Sequence, residues 1–266
     1  MHSLRADWEI ARRGYARYAA YPAATIAGVF TNTVFGFVRA FILLALYEQR
    51  GVVGGYDPSA VVTYVWLGQA LLMTIYAWGW QDIALRIRSG DIATDLIRPM
   101  QPLRAALAFD LGRAAYHVVF RGIPPLLFGA LVFRLTLPGE PLVWLAFLTS
   151  VVLASTVSFG FRALYNAVAF WSLDIRGTMT LAGIAINVFS GFLVPISFFP
   201  DWLAAIARAT PFPSMVQTPI DIFIGTTAGP AVIASLVTQL VWTVVLLAAA
   251  QALFAIGVRR LVVQGG

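Results

Sequence analysis

The stretch 231–257 carries no charged side chain, and several other stretches of the chain are nearly as apolar. About 20 helical residues, rising about 1.5 Å each, cross the roughly 30 Å of hydrocarbon in a bilayer. A chain built from such runs folds as an all-α polytopic membrane protein. The charge content agrees: only 11% of the 266 residues are charged, where a soluble domain carries about 25%. A larger core would not explain that deficit, because its surface would still need charge.

The apolar runs place six transmembrane helices at about 23–47, 59–80, 114–137, 142–171, 178–198 and 231–257, in one transmembrane domain, 1–266. Pro124 and Pro125 remove two backbone donors from the third span and predict a kink there. Residues 1–21 lack the apolar run of a signal peptide and read as an N-terminal amphipathic interfacial helix. Leu4, Trp8, Ala11, Tyr15 and Tyr18 form its apolar stripe, and Glu9, Arg13 and Arg17 face away. The segment 199–230 is apolar but cut by Pro200, Pro211, Pro213, Pro219 and Pro230. Its pieces are too short to span, so it is expected to be a re-entrant extracytoplasmic segment between spans 5 and 6.

The basic residues are all arginine, and the net charge is +6. They cluster in short loops beside apolar spans, as membrane orientation requires, so no nucleic acid partner is expected. With both termini cytoplasmic, that side holds Arg5, Arg12, Arg13, Arg17, the arginines of the loop 81–113, Arg176, Arg259 and Arg260. The outer side then holds only Arg50, Arg134 and Arg208. The absence of lysine excludes a P-loop within these residues, and the absence of cysteine excludes thiolate metal sites and thiol nucleophiles. His2 and His117 fit no metal-ligand spacing, so neither metal nor cofactor is expected on this chain.

The longest polar interruption is 86–104, RIRSGDIATDLIRPMQPLR. Ser89-Gly90-Asp91 reads as a turn into a helix at 92–97, with Asp91 as N-cap and Asp95 near the helix's positive end. That helix ends near Arg98, because Pro99 disfavours helical geometry in the residue before it. The residues alone allow two readings: a solvated loop obeying the positive-inside rule, or a rigid element that passes a partner's movement into the membrane.

Arg39, Arg121 and Arg162 fall inside spans. Arg121 and Arg162 lie near the cytoplasmic end, so they are expected to snorkel to the interface; the functional alternative is an inner vestibule that meets an anionic group. His117, one turn before Arg121, reads as an interhelical donor. Asn32, Gln69, Asn166 and Asn187 suit interhelical hydrogen bonds. Asp110 and Asp174 read as lying at span edges; the lack of a central carboxylate for proton coupling weakens, without removing, the alternative of an ATPase-independent secondary transporter or channel. No paired carboxylates or metal set supports an intramembrane enzyme.

The segment 87–100, IRSGDIATDLIRPM, resembles the cytoplasmic segment of ABC-2-type ABC transporter permeases, in particular the small six-span bacterial branch. The segment 190–203, SGFLVPISFFPDWL, with TPF at 210–212, resembles the end of that family's fifth span and its re-entrant segment. The resemblance covers essentially the whole chain. It implies a permease subunit in a bacterial cytoplasmic membrane, exporting a hydrophobic or amphiphilic compound. A separate ATPase subunit, two copies per transporter, would bind ATP and Mg and dock on the segment 86–104, a cytoplasmic coupling helix between spans 2 and 3, and on the N-terminal helix. A second six-span permease, identical or not, would complete the path. On this basis Arg88, Gly90, Asp91, Asp95, Leu96, Arg98 and Pro99 are assigned to ATPase coupling. Gln69, Arg121, Arg162 and Asn187 are the expected residues of the substrate path, beside membrane lipids.

Overall fold

A computed structural model describes residues 2–47, 52–75, 81–172 and 174–260, and among these no β-strand forms. The chain opens with α1 (His2–Ala19), α2 (Pro22–Tyr47) and α3 (Pro58–Ile75). Two short helices, α4 (Asp82–Ser89) and α5 (Ile92–Leu96), lead to α6 (Pro102–His117), which continues through a π-turn at Val118–Gly122 into α7 (Ile123–Val132). Next come α8 (Pro141–Ala167), α9 (Arg176–Phe189), α10 (Asp201–Arg208), α11 (Gln217–Ile224) and α12 (Pro230–Val258).

Among the described residues, five helices are long and apolar enough to cross a membrane: α2, α3, the continuous Pro102–Val132, α8 with its terminal turn, and α12. Each begins on a proline. A helix's first N–H has no intrahelical acceptor, so proline loses nothing there and its fixed φ suits the entry. The remaining expected span, the fifth at 178–198, is represented by α9, whose 14 residues extend only about 21 Å. The helix stops at Ser190, where Gly191 takes φ +82° and Pro195 follows. Residues 76–80, expected to end the second span, lie outside the described residues.

The third crossing helix starts at Pro102, about three turns before the end of what reads in sequence as the loop 81–113, and the connection shrinks to 81–101. Arg104, Asp110 and Arg113 are therefore helical. The helix tolerates them because each is paired; Arg104, for example, grips Asp7 of α1 at 3.1 and 2.6 Å. The proline-pair kink takes the form of the π-turn, closed by Ile123 N–H donating to Val118 O, so the wide turn falls just before the missing donors.

α3 is the central helix, with 78% of its apolar window buried, whereas the figures for α2 and α12 are 22% and 17%. Trp66, fully buried on α3, fills a slot between Gly36 of α2 and Gly129 of α7 where any β-carbon would strike its indole. α1 lies against α6 in backbone contact: a β-carbon on Gly14 would meet the Phe109 carbonyl, and one on Gly112 the Ala11 carbonyl. Its expected apolar stripe consequently divides. Leu4 and Trp8 remain exposed, while Ala11, Tyr15 and Tyr18 turn toward α6, Tyr15 against Tyr116 and Phe120. Within 199–230, α10 and α11 have eight residues each, too short to cross.

Candidate functional site

The segment 82–100 folds as a helical hairpin. α4 ends at Gly90, whose φ of +81° gives a left-handed C-cap with its N–H on Ile87 O. Glycine adopts that conformation without a β-carbon penalty. Asp91 does not cap α5 with its side chain; Ser89 Oγ donates to its carboxylate at 2.7 Å instead, and backbone bonds from Ala93 and Thr94 close the turn. Asp95 is largely buried and draws in Arg86 at 2.6 Å and Arg98 at 3.4 Å. Arg88, Gly90, Asp91, Leu96, Arg98 and Pro99 are exposed together on the outer face. Beside them Ile97, an apolar side chain that helix periodicity alone did not single out, is 85% exposed.

The inner face of the hairpin is core. Ile83, Ala84, Ile87 and Ile92 pack with Leu103, Phe159, Ala163 and Phe254, which joins the hairpin to α6, α8 and α12. Polar bonds add direction to that packing. The side chain of Gln81 does not cap α4; Asn166 of α8 supplies the acceptor, its Oδ1 taking the Ala84 N–H at 3.0 Å. Free N–H groups in a helix's first turn need such a partner. At the preceding end, Ser158 Oγ donates to Ile75 O at 2.8 Å, Arg113 Nη2 to Thr74 O at 2.9 Å, and Arg113 Nη1 to Met73 O. α6 and α8 thus hold α3 just before the hairpin and hold α4 at its start.

Behind these bonds lies a charge cluster. Asp110 accepts from Arg113 Nε at 2.8 Å and from Arg162 Nη1 and Nη2 at 3.1 and 2.7 Å. All three side chains are buried. Asp110 is therefore an interior residue of a crossing helix, not an edge one. Arg162 does not snorkel: it also donates to Ser158 Oγ at 3.3 Å and lies over the Phe159 ring. Two cations sharing one anion offset a burial cost that neither arginine could meet alone.

The other expected path residues are dispersed. Gln69 is buried on α3, and its backbone oxygen accepts from Asn32. Asn187 donates to Gly183 O of its own helix at 2.8 Å. Arg121, on the π-turn, is partly buried and lies where a β-carbon on Gly28 would sit. His117 does not act as an interhelical donor: both ring nitrogens are buried without a hydrogen bond, and the ring packs on Tyr18 and Tyr116. Arg39 binds the broken end of α9, donating to Phe192 O and to Leu193 O at 2.9 Å.

A second polar network links that broken end to α11. Gln217 Oε1 accepts from Tyr64 at 2.6 Å and from Ile196 N–H at 3.1 Å, while its Nε2 donates to Tyr56 Oη at 2.7 Å and Asp221 at 2.8 Å. Tyr56 also donates to Asp221. Burial pushes the Asp221 carboxyl above the usual carboxylate range, and burial and the Asp221 charge raise the Tyr56 hydroxyl. A cavity of about 420 Å³ opens beside this network, with Arg208, Ser197 and Thr226 among its walls. Neither it nor the cleft beneath the hairpin is lined by Gln69, Arg121, Arg162 or Asn187. Among the described residues, no three His, Cys, Asp or Glu side chains converge on a metal position.

Comparison with known proteins adds two findings. The profile of the family described as ABC-2 family transporter protein matches residues 34–265. An ABC-type transporter, oblD, of Aspergillus clavatus is 26% identical over 211 residues, which cover 75% of this chain. The match spans only 13% of that protein's length.

Proposed function

The chain belongs to the ABC-2 family of transporter proteins, and we propose that it is the permease subunit of an ATP-driven exporter. These residues contain no lysine, so the nucleotide-binding P-loop lies outside them; ATP and Mg bind on an ATPase subunit, present in two copies. The translocation path is completed by a second permease, identical or not. The cargo is a hydrophobic or amphiphilic compound. The membrane is the bacterial cytoplasmic membrane, with both termini inside, and α9 with the bent segment after it forms the fifth passage.

One observation carries this reading. The α4–α5 hairpin exposes Arg88, Asp91, Leu96, Arg98 and Pro99, yet its inner face is fastened to α3, α6 and α8. A short element that is charged outside and rigidly rooted inside suits the transfer of a soluble partner's movement to membrane helices. The ATPase docks on the outer face; closure of its two copies on ATP pushes the hairpin, and the crossing helices follow.

The test is charge reversal at the exposed face. Tagged protein carrying Asp91→Arg and Arg98→Glu is expected to insert normally and to lose the P-loop ATPase that co-purifies with the unaltered chain in mild detergent. Undiminished co-purification by the double variant would refute docking at the hairpin.

A further inference from the structure

Between α1, the α4–α5 hairpin and the first turns of α6 lies a cleft of about 380 Å³, whose walls include Arg98 of the proposed docking face. At its base Asp110 is shared by Arg113 and the buried Arg162, which leaves no spare negative charge there. Above them Arg13, Arg17, Arg86 and Arg98 face Asp82 and Asp95, four cations to two anions. Asp95 is shared by Arg86 and Arg98, and Arg17 approaches Asp82 only to 4.0 Å. Arg13 meets no carboxylate among the described residues. The cleft therefore has unspent positive charge, concentrated on the α1 side.

Its floor is apolar, formed by Ile10, Ile83, Ile92, Phe109 and Phe254. Its depth is set by two crossing helices: Pro102 is the first residue of α6, and Phe254 lies four residues from the end of α12. Helix ends of this kind lie at the level of lipid headgroups, where basic side chains meet phosphate. The exposed Leu4 and Trp8 of α1 suit the same level, with their side chains toward the acyl boundary.

We propose that this cleft binds the headgroup of an anionic phospholipid. The phosphate lies on Arg13 and Arg17, and the upper part of an acyl chain runs along Phe109 and Phe254. A free phosphate would use the arginines but leave the apolar floor in water; a phospholipid uses both. A lipid seated there joins α1 to the hairpin, so the lipid composition of the membrane bears on how firmly the hairpin is held.

The purified full-length chain, without ATPase, is titrated in detergent with phosphatidylglycerol, with phosphatidylcholine of the same acyl chains, and with inorganic phosphate. Bound lipid is read by native mass spectrometry and stability by thermal unfolding. Phosphatidylglycerol is expected to bind and raise Tm beyond phosphatidylcholine, and inorganic phosphate to do neither. Arg13→Gln, at an exposed and unpaired position, is expected to weaken phosphatidylglycerol binding roughly fivefold. Equal effects of the two lipids, or unchanged binding by Arg13→Gln, would overturn the proposal. A Tm rise with inorganic phosphate equal to that with phosphatidylglycerol would assign the cleft to a free anion instead. No ATPase takes part, so the outcome is independent of docking at the hairpin.

Discussion

Arg162 and Asp110 meet as a bidentate pair across 52 sequence positions, both buried, and Arg113 shares the same carboxylate from the next turn of α6. Two cations thus depend on one anion. The surplus guanidinium N–H groups reach the Met73 and Thr74 carbonyls and Ser158 Oγ. The cluster, with one cation more than its single anion, also fixes the end of α3 that leads toward the hairpin.

That charge count makes the cluster asymmetric to mutation. Asp110→Ala strands two buried guanidinium groups and is expected to cost about 3–5 kcal/mol, the range for breaking a buried pair. Arg162→Met leaves Asp110 with Arg113 and costs less, about 1.5–3 kcal/mol for the lost charged hydrogen bonds. Thermal unfolding of the two variants in one detergent checks the order. Equal losses would mean that the carboxylate is not the shared partner.

The outer network supplies a pH signature. Folding raises the pKa of Asp221 through burial. A carboxyl raised in this way favours the folded state when protonated. Its stabilising contribution is complete below the unfolded value near 3.8 and is lost as pH rises through the folded value. Asp221→Asn removes the titration. The Tm of the variant minus that of the unaltered protein is expected to increase as pH rises from about 4 and to level off above the folded pKa. A difference that shrinks with rising pH would show that Asp221 is stabilised as the ion.

What the sequence reveals depends on how local the cause is. α8 and α12 are legible because α12 carries no charge, α8 carries only Arg162 near its end, and a proline marks each start. The turn at Gly90 is legible from glycine's conformational freedom, which the φ of +81° uses. Asp110 is not legible as an interior residue, because in one dimension Arg104, Asp110 and Arg113 look like loop; the partner that neutralises Asp110 lies on another helix. The only local hint is the three-residue spacing of Asp110 and Arg113. Asn166 likewise reads as one amide among several until its contact with α4 is known. The end of α9 escapes detection because residues 190–198 stay apolar while Gly191 and Pro195 break the helix.

Asn166 separates docking from transmission. Its Oδ1 holds the Ala84 N–H and its Nδ2 donates to Arg162 O at 2.8 Å, so one side chain joins the hairpin to the helix that carries the charge cluster. Asn166→Ala leaves the Ala84 N–H buried without its acceptor, at about 1–3 kcal/mol, and loosens α4 on α8. The exposed residues Arg88, Asp91 and Arg98 do not touch Asn166, so the ATPase is expected to co-purify at its normal yield. Transport in reconstituted vesicles is expected to fall several-fold while ATP hydrolysis continues, because the hairpin then moves without drawing α8 after it. Loss of the ATPase from the variant would instead make Asn166 a determinant of the docking face. Unchanged transport would mean that the packing of Ile83, Ile87 and Ile92 carries the motion without the amide.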